Sequence, residues 1–340
     1  MGLSQHPAVI GAAAQALKRW GTGSGASRLL SGNLRVHDEL ERKIASFKGE
    51  KASVVFSSGY LANLGAIRTL VNEKDVVILD RLCHASLIDG ARLSKAKFWV
   101  YEHRNPGDLE KLLSRAKRFR RRLVVTDAYF SMDGDVAPIG DLLDLCEKNE
   151  AILMIDEAHS TGVYGKTGRG FTEHFGVSGR VPVVMGTLSK ALGSVGGFIA
   201  GSAVLRETLV NFCRPYIYTT APSPASSRAA LAALEVIKKT PRLREKLWDN
   251  VKMLRGGLED LGLDLMGSEG PIIPVRVGDP SKAMALKESL KTFGIFVSAI
   301  RPPSVPKGTE RIRLSVSAAH SPAQIAHLMA CLKKIRKCFP

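Results

Sequence analysis

Short apolar, β-branched runs alternate with helical periodicity through the middle of the chain. The runs are ASVVFS, DVVILD, KFWVYE, RLVVTD, AILMID and VPVVMG. Between them lie segments such as NPGDLEKLLSRAKR and IGDLLDLCEKNE, whose leucines recur at helical spacing. Strands that are apolar throughout and separated by helices predict an α/β fold, with a mainly parallel central sheet covered by helices on both faces. Ligands of such sheets bind beyond the carboxyl ends of the strands, so chemistry is sought just after each run. Past KKTPRL the texture changes. A long helical stretch over 243–261 is followed by strand candidates PIIPVRV and IFVSAI, the turn-rich RPPSVPKGTE, strand RIRLSV and a closing amphipathic helix, SPAQIAHLMACLKKIRK. The pattern predicts an N-terminal segment, 1–45, a large domain, 46–238, and a small C-terminal α+β domain, 239–340.

Composition narrows the class. The 340 residues suffice for a large core without covalent staples. Cys83, Cys146, Cys213, Cys331 and Cys338 are scattered, with no CxxC pair and no signal-like start, so the expected setting is a reducing cytoplasm and not a disulfide framework. No apolar run approaches the roughly 18–20 residues that span a bilayer, so no membrane partner is expected. A formal charge of +17 favours acidic partners. Its densest run, RAKRFRRR at 115–122, reads as the solvated end of a helix, with a docking patch for an acidic carrier protein or polyanion as the alternative. The few aromatics do not interleave with basic residues and no zinc-finger or RNP-like motif occurs, so nucleic acid is not an expected partner.

Three stretches carry candidate chemistry. FSSGYLANLGAI begins where a strand ends and continues as a helix. Its Ser-Ser-Gly turn leaves unpaired N–H groups and the positive end of a helix dipole at the crevice, which suits a phosphate, although any strand-to-helix turn favours these residues. In LMIDEAHSTGVYG, Asp156 closes an apolar strand and His159 follows in a glycine-rich loop. A carboxylate there is costly unless it holds a cation or a protonated ring nitrogen; the plainer alternative is a helix cap followed by a surface histidine. A Walker-B role would need a P-loop, and no GxxxxGK[ST] is present. In GTLSKALG, Lys190 stands among small residues after VPVVM, and alone it is no more than a turn lysine. Together and in this order, a phosphate turn, an aspartate for a pyridinium nitrogen and a lysine are what pyridoxal 5′-phosphate (PLP) demands. Lys190 would form the Schiff base. Two glycine-rich stretches are decoys. GTGSGASRLLSG follows a helical pattern where a dinucleotide fingerprint needs a strand, and GSVGGF reads as the tight turn returning the chain from the lysine.

Eight stretches, in order, carry a family resemblance: GSGASRLLSGN with HDELE, SSGYLAN, DRLCHASLIDG, FSMDGDVAPI, IDEAHSTGVYG, GTLSKALGSVGG, YIYTTAPSP and RIRLSVSAAH. On these the chain resembles the α-oxoamine synthases, fold-type I PLP-dependent transferases, over essentially its whole length. The resemblance implies Lys190 as the cofactor-bonding lysine and Asp156 as partner of the pyridine nitrogen. It implies His84 stacked on the ring, and His159 and Ser131 at its phenolic oxygen. Ser58, Gly59, Tyr60 and Thr187 would serve the phosphate, with Thr219 and Thr220 reaching it from a neighbouring subunit, so that a homodimer completes the site. Arg313 resembles the clamp for the amino-acid carboxylate, a bidentate task suited to guanidinium. Arg311 shares the strand with it, and one of the two is expected to be merely solvated. Arg301 would meet the acyl substrate, or simply cap a turn; His84 and Ser131 have structural alternatives too. No metal is expected.

The family condenses an amino acid with an acyl thioester as carbon dioxide leaves, with the freed lysine as base. AIRPPSVPKGTERIRLSVSAAH is most similar to members that join L-alanine to a pimeloyl thioester, on CoA or acyl carrier protein, in biotin biosynthesis. Members joining glycine to acetyl-CoA are the alternative, and a catalytically silent member is a third reading, disfavoured by intact Lys190, Asp156 and His84. The start, MGLSQHP, resembles the middle of the family's NDYLGLSxHP stretch, so the N-terminal segment is expected to be shortened, without the part that helps form the substrate entrance.

Overall fold

The structure, a computed structural model, describes residues 1–339. Residues 2–129 and 137–240 form one compact unit; Met1, 130–136 and the chain from Pro241 onward form a second.

The larger unit is built on seven strands: β1 (Ala52–Phe56), β2 (Val76–Asp80), β3 (Lys97–Tyr101), β4 (Arg122–Asp127), β5 (Ile152–Asp156), β6 (Val183–Thr187) and β7 (Gly197–Gly201). They lie in the order β1-β7-β6-β5-β4-β2-β3. The first six are the apolar runs of the sequence, and β3, β2, β4, β5 and β6 pair in parallel, as the fold class requires. The interiors of β2, β4 and β5 have no solvent-facing side because helices cover both faces: Val76, Val77, Ile78, Leu123, Val124, Val125, Leu153 and Met154 are all buried, while the edge strand β3 leaves Val100 exposed.

The strand missed by the sequence reading is β7, which runs antiparallel to both β1 and β6. GSVGGF does contain the expected turn, with Gly193 and Gly196 at φ 63° and 125°, but the strand begins at the very next residue. Its framing glycines hide its propensity, and they are needed for close approach: a Cβ on Gly201 would stand 2.6 Å from the Pro182 carbonyl oxygen.

The helices begin where side chains can satisfy their first N–H groups. Ser58 accepts from Leu61 N at 3.1 Å to start the Gly59–Leu70 helix, and Asn105 accepts from Asp108 N at 3.0 Å, with Pro106 next, to start Pro106–Ala116. The basic run is not simply the solvated end of that helix, which closes at Ala116. Arg120 grips buried Asp75 through two bonds of 3.0 and 2.8 Å, and Arg121 donates to Leu70 O at 2.9 Å. The second half of the run thus fastens the loop that feeds β4.

The smaller unit has an antiparallel sheet, β8 (Ile272–Arg276), β9 (Ser298–Ile300) and β10 (Arg311–Ser315), in the order β8-β10-β9. Its core joins Ile273, Val275, Ile312 and Leu314 to Leu254, Leu258 and Leu332 from flanking helices. β9 is shorter than IFVSAI suggests. Gly294 (φ 73°) ends the preceding helix and Ile295 N still bonds Leu290 O, so that backbone belongs to a helix cap and not to the ladder.

Arg311 and Arg313, two residues apart, share a face of β10, and the expectation that one is merely solvated fails. Arg311 is buried and binds Met132 O at 3.0 Å and Asp133 Oδ1 at 2.6 Å, while Arg313 Nε donates to Ser131 O at 2.6 Å. Both arginines hold the Phe130–Val136 segment. Among the described residues no helix is long and apolar enough to cross a membrane, and no cluster of His, Cys, Asp or Glu is arranged to hold a metal.

Candidate active site

Strands β4, β5 and β6 end side by side with Asp127, Asp156 and Thr187, at the carboxyl edge where a parallel sheet binds ligands. A cleft of about 220 Å³ opens there in the larger unit. It gathers Ser58, Gly59, Tyr60, His84, Asp156, His159, Thr187 and Lys190, all singled out from the sequence. Asn63, Ser86, Asp127 and Ser189 line it too, and none of these was anticipated.

One wall is the start of the Gly59–Leu70 helix, whose first N–H groups and dipole face the cleft. A Cβ on Gly59 would stand 2.7 Å from Met185 Cε, the movable end of that side chain, and 3.5 Å from Thr187 Oγ1, an ordinary contact. Thr187 Oγ1 donates to Gly196 O at 2.9 Å and lies 2.8 Å from Ser189 Oγ. The loop carrying Lys190 is closed by backbone bonds: Leu188 N to Gly196 O at 2.9 Å, Ser194 N to Leu188 O at 2.8 Å and Gly193 N to Lys190 O at 3.1 Å.

Asp156 is buried with both oxygens occupied, Oδ1 accepting from Ala158 N at 2.8 Å and Oδ2 from Asn63 Nδ2 at 2.7 Å. Asp127 is its register partner across β4 and β5. Burial, then the charge of Asp156, pushes the Asp127 carboxyl well above the usual carboxylate range, against the opposing pull of the His84 N–H and the Lys190 charge. The Asp127 Oδ2 atom accepts from His84 N at 2.8 Å, which fixes where the Ala85–Ser94 helix begins.

His159 sits on the loop leaving β5, with its ring centroid 6.5 Å from that of Tyr129. Beneath this loop, Glu157 is wholly buried. Its Oε2 receives Lys48 Nζ at 2.5 Å and its Oε1 receives Thr172 N at 2.8 Å, while Lys48 also donates to Arg169 O.

The other expected residues do not line this cleft. Thr219 is half-buried and Thr220 exposed, the latter bridging Ser27. Ser131, Arg301 and Arg313 belong to the smaller unit, where Arg301 lines a separate cavity of about 600 Å³ with Pro302, Pro303, Lys307 and Glu310.

Residues 1–332 match the model of the aminotransferase class I and II family. The chain belongs to that family. It is 48% identical over 336 residues to the 8-amino-7-oxononanoate synthase of Cellvibrio japonicus, an alignment covering 98% of this chain and 84% of that one. Among solved structures, it is similar to SPT with its PLP internal aldimine, with a TM-score of 0.97, 36% identity, and 99% and 86% of the two chains covered. It is also similar to the 8-amino-7-oxononanoate synthase of Francisella tularensis, with a TM-score of 0.85, 28% identity, and 98% and 94% covered. These likenesses match the resemblance drawn from the eight motifs.

Of the unanticipated residues in this aminotransferase-family cleft, Asp127 carried a usable signal. RLVVTD closes an apolar strand with a carboxylate just as AILMID does. DVVILD does the same, but the Asp80 oxygens are taken by Leu82 N, Arg104 N and His103 Nδ1. Asn63 was visible only as an amide inside an apolar helix, and Ser86 and Ser189 offered no signal.

Proposed function

We propose that the chain catalyses the PLP-dependent decarboxylative condensation of L-alanine with a pimeloyl thioester, on CoA or acyl carrier protein, to give 8-amino-7-oxononanoate for biotin biosynthesis. It would act in the cytoplasm as a homodimer. The observation that carries this is the convergence of Lys190, Asp156, His84 and the Ser58–Gly59 turn on one cleft, in a chain so similar to 8-amino-7-oxononanoate synthases.

The cleft fits the cofactor. A glycine-floored helix start suits the phosphate, a buried carboxylate held by two donors suits a protonated ring nitrogen, and an imidazole and a lysine complete the donor set. When bound, PLP supplies a carbonyl that captures an amine and a ring that accepts electron density from Cα. Ser58, Gly59, Tyr60 and Thr187 would hold its phosphate, joined by Thr219 and Thr220 of the second copy; Asp156 would hold its nitrogen, His84 its face, and His159 and Ser131 its phenolic side.

The remaining chemistry belongs to side chains. Lys190 Nζ would hold the cofactor and, as a free amine, would be the base that accepts the Cα proton of alanine. By the family resemblance, Arg313 would orient the alanine carboxylate and Arg301 would meet the acyl substrate. Overall, the Cα–carboxylate bond breaks to release carbon dioxide, Cα joins the acyl carbon and regains the proton that Lys190 took, and the carbon–sulfur bond breaks to free the thiol, which takes a proton from solvent.

Titrating the purified chain with PLP while recording its visible spectrum tests the site. Wild type is expected to develop the band of lysine-bound cofactor and Lys190→Ala to lack it; a wild-type protein without that band would refute the reading.

A further inference from the structure

The side chains behind the cleft form a continuous relay. Asn63 Nδ2 donates to Asp156 Oδ2 at 2.7 Å and to Ser86 Oγ at 2.9 Å, and Ser86 Oγ lies 2.8 Å from His84 Nδ1. Asn63 and Ser86 are buried, and neither is used by the chemistry described above.

The directions of these bonds follow by elimination. Asp156 accepts on both oxygens, so the atom that Asn63 turns toward it must be the amide nitrogen; a carbonyl oxygen there would face a carboxylate. The second amide hydrogen then goes to Ser86 Oγ, so the serine accepts from Asn63 and its own proton is left for His84. Ser86 N, which can only donate, also points at His84 Nδ1, at 3.3 Å. Two donors converge on Nδ1, which must therefore be bare. The imidazole proton belongs on Nε2.

We propose that Asn63 and Ser86 are positioning residues that hold His84 as its Nε2–H tautomer and tie its ring to Asp156. Asp127 anchors the same histidine from the backbone side through His84 N, leaving the ring one placement. The relay starts on the Gly59–Leu70 helix, so it links the helix assigned to the phosphate, the carboxylate assigned to the ring nitrogen and the imidazole assigned to the ring face. The tautomer follows from the bonds alone; the consequence for cofactor binding rests on the proposed function.

Long-range proton–nitrogen correlation spectra of the ¹⁵N-histidine-labelled chain, without cofactor and at a pH where His84 is neutral, test the tautomer. The expected result is a His84 ring with a bare Nδ1 and a protonated Nε2, assigned with His84→Gln. A protonated Nδ1 would overturn the proposal. PLP affinity, measured alongside thermal melting, tests the linkage. Ser86→Ala, which removes one oxygen and should fold, is expected to weaken binding about tenfold, and Asn63→Ala at least as much. Because they act in series, the double variant should lose much less than the product of the two effects. Native affinity in Ser86→Ala, or fully multiplicative losses, would overturn the linkage. A wild-type chain that fails to bind PLP would refute the functional reading, while the nitrogen spectrum would still decide the tautomer.

Discussion

Gly197 on β7 and Gly59 at the start of the cleft helix meet backbone to backbone. A Cβ on Gly197 would lie 2.5 Å from Gly59 Cα and 2.6 Å from Gly59 N. β7, antiparallel to both its neighbours, is thereby the seat of the turn assigned to the phosphate. Neither contact atom is the end of a flexible side chain, so Gly197→Ala must shift the turn itself. A loss of about 1–3 kcal/mol is expected in urea unfolding, together with weaker PLP binding. An alanine variant with native affinity would show that the turn can move without consequence.

Lys48 and Glu157 form an ion pair with both side chains fully buried, and it holds the loop that carries His159. Removing one partner strands the other charge in the core. Lys48→Ala is expected to cost about 3–5 kcal/mol, and Lys48→Met with Glu157→Leu distinctly less, since no charge is then left unpaired. Denaturant midpoints of the three proteins decide this.

The layers of the fold were legible in the sequence because six strands are apolar on both faces, and no polar alternation obscures them. β7 was not, since Gly197 and Gly201 serve close packing at the expense of strand propensity. The cleft was legible wherever a residue closes a strand or opens a helix, as Ser58, Asp156 and Thr187 do, and Lys190 follows in the loop just after β6. Asn63 and Ser86 lie within helices, and their roles depend on which neighbours the fold brings beside them. Arg311 and Arg313 were legible as a pair but not in their task, because the Phe130–Val136 segment they hold is remote in sequence.

Burial raises the Asp75 carboxyl, but hydrogen bonds from Arg120 and Asn72 N, with the charges of Arg120 and Arg121, outweigh it and hold the group below its ordinary value. A carboxyl lowered on folding stabilises fully above its unfolded range of about 4, and that contribution fades as pH falls through the folded value. Arg120→Ala is therefore expected to lower the melting temperature at pH 7, with the gap to wild type closing in acid. A gap that stays constant down to pH 2 would contradict this role for the pair.

If Thr219 and Thr220 serve the site of a second copy, two defective chains can repair each other. Lys190→Ala and the Thr219→Ala/Thr220→Ala variant should each be nearly inactive alone. Unfolded together in equal amounts and refolded, they should recover about a quarter of wild-type activity, since half of a random dimer population is mixed and each mixed dimer holds one intact site. No recovery would place those threonines in the site of their own chain or outside it.

The central claim is tested most directly by thiol release from pimeloyl-CoA, measured on the PLP-loaded chain with L-alanine, glycine and L-serine in turn. Rapid release with L-alanine, matched by carbon dioxide and 8-amino-7-oxononanoate and abolished in Lys190→Ala, is the predicted result. Release that requires glycine and acetyl-CoA instead, or none with any amino acid on a chain that binds PLP, would contradict it.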